Sequence, residues 1–272
     1  MIKPFIAASS YLNAAPLWYS FLYGEQKSRC TLVSDVAPIR CAQLLVENRA
    51  DAALIPVIEY PRHADLLIAP GACVASKTQV YSVVLASRVP ITEVRSVTLD
   101  TTSRTSAALV EIIFSRFYNL QPEYRSAPPR LREMLETADA ALIIGDPAMM
   151  IDRTGLHVYD LAEEWRKHTG LPFVFAFWAI RQDAAATFGA ASEGRIDFRA
   201  ARREGVAHAE ELAALYSEQL GIAKNELVAY LTENIHYDLD DESLRGLKLY
   251  YDLAHQCGLI AEPRALVFCE SV

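Results

Sequence analysis

The sequence lacks the short motifs that mark the commonest catalytic and nucleotide-binding sites. It contains no GxGxxG or GxxxxGKS/T glycine loop, no GxSxG and no HExxH. These absences argue against a dinucleotide-binding domain, a P-loop, a serine-nucleophile triad and a zinc protease. The 6 histidines are scattered along the chain, so we expect neither a metal nor a cofactor.

Cysteine is also scarce, and long apolar runs are missing. The 5 cysteines are an odd number without CxxC or CxxxC spacing, which is typical of reduced cytosolic thiols. The longest strongly apolar run, 171–180, has ten residues, whereas a membrane-spanning helix needs about 20. The amino terminus offers only Lys3 and the short run 5–8, too little for a signal peptide. We therefore expect a cytoplasmic protein without a membrane partner.

Acidic side chains outnumber basic ones. The chain has 34 Asp and Glu against 26 Lys and Arg, a formal net charge of −8, which argues against a nucleic-acid partner. Its 272 residues, 52% of them hydrophobic, leave room for one large domain or two modest ones. A chain of this size can bury a core that needs neither disulfides nor a structural metal.

Short apolar runs alternate with helix-length amphipathic stretches, which predicts an α/β fold with mostly parallel sheets flanked by helices. After residue 183 the chain is rich in Ala, Glu and Arg, and its apolar residues recur at helical spacing, which predicts further helices. Asp160 is in position to cap a helix over 161–167. The predicted strands cover 5–8, 31–34, 52–55, 81–86, 97–99, 140–144 and 173–180, and two more helices are predicted over 38–48 and 105–118.

No proline- or glycine-rich joint divides the chain, so two lobes are expected to be discontinuous in sequence. Residues 1–87 together with 178–272 are expected to form lobe one with the C-terminal helices, and 88–177 to form lobe two. The chain would cross near 87–89 and return through the strand at 173–180. Two crossings make a hinge, and small ligands commonly bind in a cleft between lobes.

Polar residues cluster where the predicted strands end, the usual position of a ligand in an open α/β sheet. The loop 10–16 holds Ser10, Tyr11 and Asn13, and the hydroxyl-rich segment 101–106 precedes a helix. Free amides at a helix start, with hydroxyls beside them, can hold a carboxylate. Both segments also fit simpler roles, a turn that supports a helix start and an ordinary N-terminal cap.

Three further polar positions end or interrupt strands. Ser82 lies within an apolar run and can serve a neighbouring backbone group as readily as a ligand. Asp146, after Gly145, can cap a helix or face a ligand. Glu59, next to Tyr60, needs a partner if it is half-buried. Each signal is weak alone, but all of these positions would line one cleft.

Taken in order, these segments resemble one family from end to end. The likeness is carried by SYLNAAP at 10–16, DAALIPVIEY at 51–60, VYSVVLAS at 80–87, TTSRTSAALV at 101–110, AALIIGDPAM at 140–149, YDLAEEW at 159–165 and GLPFVFAFWAIR at 170–181. They resemble the chorismate dehydratase family of the futalosine route of menaquinone biosynthesis. Pro56 and Val57 depart from the family pattern, which has small hydroxyl residues there.

The resemblance implies a fold like that of a type II periplasmic binding protein, with two α/β lobes and a ligand cleft between them. It implies that chorismate, the small-molecule partner, loses water to give 3-(1-carboxyvinyloxy)benzoate without a cofactor. Asn13 and Ser82 fall at the family's functional positions and are the expected catalytic residues. The expected substrate-binding residues are Ser10, Tyr11, Glu59, Tyr60, Ser103, Thr105, Ser106, Gly145 and Asp146.

Loss of the hydroxyl on carbon 4 and the proton on carbon 3 makes the ring of chorismate aromatic. The enzyme therefore needs positioning and polarisation more than a strong base. We expect Thr105 and Ser106 to hold one carboxylate, while Asn13 and Ser82 hydrogen-bond the reacting region.

The proton on carbon 3 lies near the substrate's own enolpyruvyl carboxylate. That carboxylate is the expected base, with Asp146 and Glu59 as the alternatives within the protein. Two other functions fit the same residues: a non-catalytic binding protein for a small carboxylate, and a sister enzyme of the same fold that acts on a later futalosine-derived intermediate. The sister family resembles this chain less, since it has a histidine where this chain has Gly145.

Overall fold

The computed structural model describes residues 3–35, 37–189 and 195–269, which form two β-sheets with helices on their faces. The strands are β1 (Phe5–Ser9), β2 (Thr31–Asp35), β3 (Ala52–Pro56), β4 (Leu66–Ser76), β5 (Val83–Ser87), β6 (Ser96–Asp100), β7 (Glu123–Ala127), β8 (Ala140–Ile144), β9 (His157–Asp160) and β10 (Phe173–Arg181). The α-helices are α1 (Ala15–Leu22), α2 (Pro38–Val46), α3 (Arg104–Ile112), α4 (Leu131–Thr137), α5 (Asp146–Met149), α6 (Leu161–Thr169), α7 (Phe198–Ala207), α8 (Ala209–Leu220), α9 (Lys224–Ala229) and α10 (Asp241–Gln256). Within these described ranges, no helix is both long and apolar enough to cross a membrane.

Each sheet has five strands, four of which run in one direction. The first sheet has the order β2-β1-β3-β10-β4, and β10 is antiparallel to both of its neighbours. The second has the order β7-β6-β8-β5-β9, and there β5 is the antiparallel strand. In each sheet the antiparallel strand is the one that follows a crossing from the other sheet. The predicted α/β class with two mostly parallel sheets is confirmed.

The sheet pairings place the two crossings elsewhere than the sequence predicts. Residues 83–87, expected in lobe one, form β5 and pair with β8 and β9 of the second sheet. Residues 173–177, expected in lobe two, belong to β10 and pair with β3 and β4 of the first sheet. The chain therefore crosses at 77–82 and at 170–172. An apolar run predicts a strand, but it does not identify the neighbour with which that strand pairs.

Buried side chains of both sheets and of the C-terminal helices join in one large core. Tyr250 of α10 packs edge-on against Phe173 of β10, with ring centroids 5.0 Å apart, and Trp165 of α6 packs against both rings. Asp160 caps α6 as predicted, since its carboxylate accepts two backbone N–H groups of the first turn. The C-terminal helices are thus part of the same packed unit as the sheets.

The C-terminal helices α7 and α8 pack against helix α1 and the loop 10–14 that precedes it. Helix α7 crosses α1 so closely that a Cβ built on Gly205 would lie 1.8 Å from the carbonyl oxygen of Pro16. The hydroxyl of Tyr216, in α8, donates to the carbonyl of Ser10 at 2.7 Å. The loop after β1 is therefore held in place by the C-terminal helices.

Replacing Gly205 with alanine should destabilise the protein. In an exposed helix this change stabilises by about 1 kcal/mol, but here the added methyl group meets a backbone oxygen that cannot move without separating α1 from α7. We expect the free energy of unfolding, measured by urea denaturation, to fall by about 2 kcal/mol. Arg203→Ala, an exposed position of the same helix, is the control and should change it by less than about 0.5 kcal/mol. Equal effects of the two substitutions would contradict the tight crossing.

Candidate active site

A cleft opens where corresponding edges of the two sheets face each other. Strands β1, β3 and β8 end at this edge, and the antiparallel strands β5 and β10 begin near it. The space between the walls is about 510 Å³ when the open solvent at its mouth is included, and the enclosed cavity is only about 50 Å³, so the lobes must part to admit a ligand. The lining residues are Ser9, Tyr11, Asn13, Ala14, Pro38, Leu54, Pro56, Val74, Val83, Ser103, Ser106, Ile144, Gly145, Phe175 and Ala176.

The lining is mostly apolar and carries its polar groups at a few points. The polar side chains that line it are Ser9, Tyr11, Asn13, Ser103 and Ser106, and none of the described lining residues is charged. Across the described ranges, no group of three or more His, Cys, Asp or Glu side chains is placed to hold a metal ion. A bound ligand would therefore meet neutral hydrogen-bonding groups and an apolar wall.

Tyr11 and Gly145 pack against each other at the cleft wall. Gly145 has a φ of +66°, in the left-handed region, and a Cβ built on it would lie 2.6 Å from the Tyr11 ring. Both features require glycine at this position. Burial raises the pKa of the Tyr11 hydroxyl, and a hydrogen bond with Thr102 partly offsets that rise. Thr102 in turn donates to the buried Asp100 carboxylate at 2.7 Å, so a short polar chain supports Tyr11.

Asn13 and Ser82 meet at the hydroxyl of Tyr230. The Tyr230 hydroxyl donates to Ser82 Oγ at 2.7 Å, and the Asn13 side chain lies close enough to this hydroxyl to lower its pKa. The Ser82 carbonyl accepts the Gly145 N–H at 2.7 Å. Asn13 lines the cleft, whereas Ser82 is fully buried just behind the wall. The structure thus brings the two predicted residues together, with Ser82 covered. Tyr230 lies in the C-terminal helical half, and no motif in the sequence indicates it.

Three hydroxyl residues at the start of α3 are predicted to bind the substrate, and two of them, Ser103 and Ser106, line the cleft. Ser103 caps the helix, because its Oγ accepts the Ser106 N–H at 3.2 Å, and it donates to Ser106 Oγ at 2.9 Å. Thr105 is buried outside the lining, where its Oγ1 accepts the Ile58 N–H at 3.3 Å. Its predicted contact with a carboxylate stays a prediction, because adjacent positions of an α-helix point about 100° apart and Ser106 is the one that lines the cleft.

Glu59 and Tyr60 do not reach the cleft, which corrects the prediction. The Glu59 carboxylate is buried in ion pairs with Arg62 and Arg104, each at 3.2 Å. The Tyr60 hydroxyl is hydrogen-bonded to backbone groups of the segment 265–267. Both residues lie in a 3-10 segment after β3. A position after a strand end does not reveal which way such a turn directs its side chains.

Asp146 ties the loop 10–14 to the second sheet. It is the first residue of α5, and its Oδ1 accepts the Leu12 N–H at 2.9 Å. Burial raises the pKa of this carboxyl to about 6, although the bond from Leu12 lowers it. Asp146 stands behind Gly145 rather than in the lining, and Ser10 is likewise outside the lining. Both residues hold the loop in this structure, and their predicted contacts with the substrate stay predictions.

The two sheets, the two crossings and the cleft between them define a type II periplasmic-binding-protein-like fold. The periplasmic aliphatic sulphonate-binding protein SsuA of Escherichia coli is similar with a TM-score of 0.66, covering 98% of this chain and 94% of its own, at 16% identity. A protein of Archaeoglobus fulgidus is similar with a TM-score of 0.73, covering 95% and 98%, at 18% identity. Identities this low establish the fold alone.

Residues 4–256 match the family model described as "Menaquinone biosynthesis", and the chain belongs to that family. Chorismate dehydratase of Thermus thermophilus is 30% identical over 268 residues, covering 92% of this chain and 94% of the relative. The family expected from the sequence motifs is thereby confirmed.

Asp146 gives the stability of the protein a pH dependence whose sign follows from its raised pKa. The carboxyl binds its proton more tightly in the folded chain, so its contribution is full below about pH 4 and is lost as the pH rises through about 6. Asp146→Asn keeps a carbonyl oxygen that can accept the Leu12 N–H, and it removes the ionisable carboxyl group. We expect the unfolding free energy of the wild type, relative to this variant, to fall by about 2 kcal/mol between about pH 4 and 7 in urea titrations. A difference that does not change with pH would contradict the raised pKa.

Proposed function

We propose that the protein is a chorismate dehydratase, a carbon–oxygen lyase of the hydro-lyase class that converts chorismate to 3-(1-carboxyvinyloxy)benzoate and water. The observation that carries the proposal is the 30% identity to the Thermus enzyme over 92% of this chain. The cleft supports it, because Asn13 lines the cleft and Ser82 lies directly behind its wall. The reaction belongs to menaquinone biosynthesis by the futalosine route, and the proposed location is the cytoplasm.

The cleft suits a ring that carries carboxylates. Leu54, Val74, Val83, Ile144 and Phe175 offer apolar contact to the ring. We assign one carboxylate to the start of α3, where two serine side chains line the cleft. This helix has nine residues, and the partial positive charge of its amino terminus favours an anion.

The reaction needs an acceptor for the proton on carbon 3 and donors for the hydroxyl on carbon 4. We assign the proton to the substrate's own enolpyruvyl carboxylate, since the described lining carries no charged group. The electron pair of the carbon–hydrogen bond forms the new ring double bond. The carbon–oxygen bond at carbon 4 breaks, and the hydroxide takes the proton and leaves as water. Asn13 and Ser82 donate to the departing oxygen, and Ser82 reaches it when the lobes part to admit the substrate.

Ser82→Ala and Asn13→Ala should each lower kcat by about 10²–10³-fold, the usual effect of removing a donor that stabilises a transition state. Turnover is measured with purified protein and chorismate, by mass spectrometry of the product that has lost one water. The matched control is Ser87→Ala, a buried serine at the other end of β5 whose hydroxyl donates to the Val89 carbonyl. That variant should keep its kcat. Wild-type rates in both cleft variants would remove the assignment.

Asp146→Asn and Glu59→Gln test for a protein base. If the substrate supplies the base, each variant should retain kcat within about tenfold, because both carboxylates lie outside the lining. Circular dichroism confirms that each variant is folded. Complete loss of turnover in either folded variant would identify that carboxylate as the base and contradict the substrate-assisted step.

The second candidate is a protein that binds a small carboxylate without changing it. It is favoured by the structural similarity to SsuA, which is a binding protein. Incubation with chorismate distinguishes the two, since a binding protein would gain thermal stability and leave the chorismate unchanged. The sister enzyme is the less favoured candidate, because its family has a histidine where this chain has Gly145. The Cβ of a histidine at this position would lie 2.6 Å from the Tyr11 ring.

A further inference from the structure

The crossing segment that carries Ser82 is held by a short turn from the C-terminal half of the chain. This π-helical turn, Tyr230–Asn234, directly follows α9. It contacts the crossing segment at two points: Tyr230 donates to Ser82 Oγ at 2.7 Å, and Asn234 Nδ2 donates to the Gln79 carbonyl at 3.1 Å. Tyr230 is only 3% exposed and lies outside the lining of the cleft. The turn therefore fixes the position of Ser82 from behind the cleft.

Tyr81, between those two contacts, is held in an unfavourable conformation. Its φ of +67° lies in the left-handed region, which a bulky side chain rarely adopts. Its N–H donates to Asp160 Oδ2 at 2.6 Å, and the Val80 N–H donates to the other oxygen at 3.1 Å. Strain that is maintained by hydrogen bonds next to the proposed catalytic Ser82 indicates that the segment must keep one conformation.

The direction of the hydrogen bonds matters because each hydroxyl has one proton to donate. Since Tyr230 donates to Ser82, the Ser82 proton is left for another acceptor. The Tyr230 oxygen is then free to accept an N–H of Asn13, whose second N–H also remains available. Burial raises the pKa of the Tyr230 hydroxyl well above its ordinary value, so Tyr230 keeps its proton. Both residues of the proposed catalytic pair are thereby set as donors.

We propose that Tyr230 is a positioning residue of the dehydration, whose hydroxyl sets Ser82 and Asn13 as donors toward the departing oxygen. The inference rests on the proposed function. Tyr230 does not touch the cleft, so it acts through the other two residues. Its effect should fall on kcat, because the donors matter most as charge develops on the departing oxygen.

Tyr230→Phe keeps the ring and removes only the hydroxyl. We expect kcat for chorismate to fall about 10- to 100-fold with KM within about threefold of the wild type. The matched control is Tyr251→Phe, which removes an equally buried hydroxyl that donates to the Val57 carbonyl at 2.6 Å. The control should keep kcat, while both variants lose comparable unfolding free energy in urea.

The double variant separates positioning from packing. In a Ser82→Ala background only Asn13 is left for the Tyr230 hydroxyl to orient, so adding Tyr230→Phe should lower kcat by clearly less than it does in the wild-type background. If the two substitutions instead multiply their full separate effects, Tyr230 acts independently of Ser82 and the inference is overturned.

The outcomes distinguish this inference from the proposed function. A wild-type protein that leaves chorismate unchanged overturns both. A wild type that converts chorismate, with Tyr230→Phe matching Tyr251→Phe in kcat, overturns the inference alone. If Tyr230→Phe does not fold, Asn234→Ala, which releases Gln79 from the same turn, takes its place. It should lower kcat several-fold at unchanged KM, and an unchanged kcat would overturn the inference.

Discussion

Buried hydrogen bonds that run from one side of the cleft to the other are the constraint on which the site depends. The Leu12 N–H meets the Asp146 carboxylate, and the Ile58 N–H meets Thr105 Oγ1, so two segments that follow strands of the first sheet are tied to the second. A buried polar group that loses its partner costs about 1–3 kcal/mol. Separating the lobes widely is therefore unfavourable, and closing the cleft brings the two lobes back to the same relative position. In that position Asn13 lies beside the buried hydroxyls of the crossing segment and the C-terminal turn.

The charges around the cleft follow from the same arrangement. Chorismate carries two carboxylates, and an ionised side chain of the same sign in the lining would repel them. Glu59 is neutralised by two arginines at 3.2 Å, and Asp146 is turned toward a backbone amide behind Gly145. The described lining presents only neutral groups. The proposed chemistry is consistent with such a lining, since formation of an aromatic ring supplies the driving force and the substrate carries its own acceptor for the proton.

The sequence predicts the parts of this structure that repeat a simple pattern. The bounds of β1, β3, β8 and β10 follow closely from apolar runs, because these strands are largely buried on both faces. Strand β4 escapes prediction because Pro70 and Gly71 interrupt it, and the structure accommodates them where the register with β10 shifts. At the site, polar residues that follow strand ends are expected to line the cleft, and the structure has Asn13 and Ser106 in the lining. The same expectation misplaces Glu59, since the direction of a side chain after a strand depends on the turn. Tyr230 enters through tertiary packing, which no local motif encodes.

In the proposed mechanism the base belongs to the substrate and the protein supplies neutral donors. The pH dependence of kcat tests it most directly. A substrate carboxylate is ionised throughout the range of about pH 5 to 8, so the account predicts a kcat that is nearly constant across it. If Asp146 were the base, its pKa of about 6 would make kcat fall about tenfold for each pH unit below that value. A profile of that second shape in the wild type, abolished in Asp146→Asn, would contradict the account.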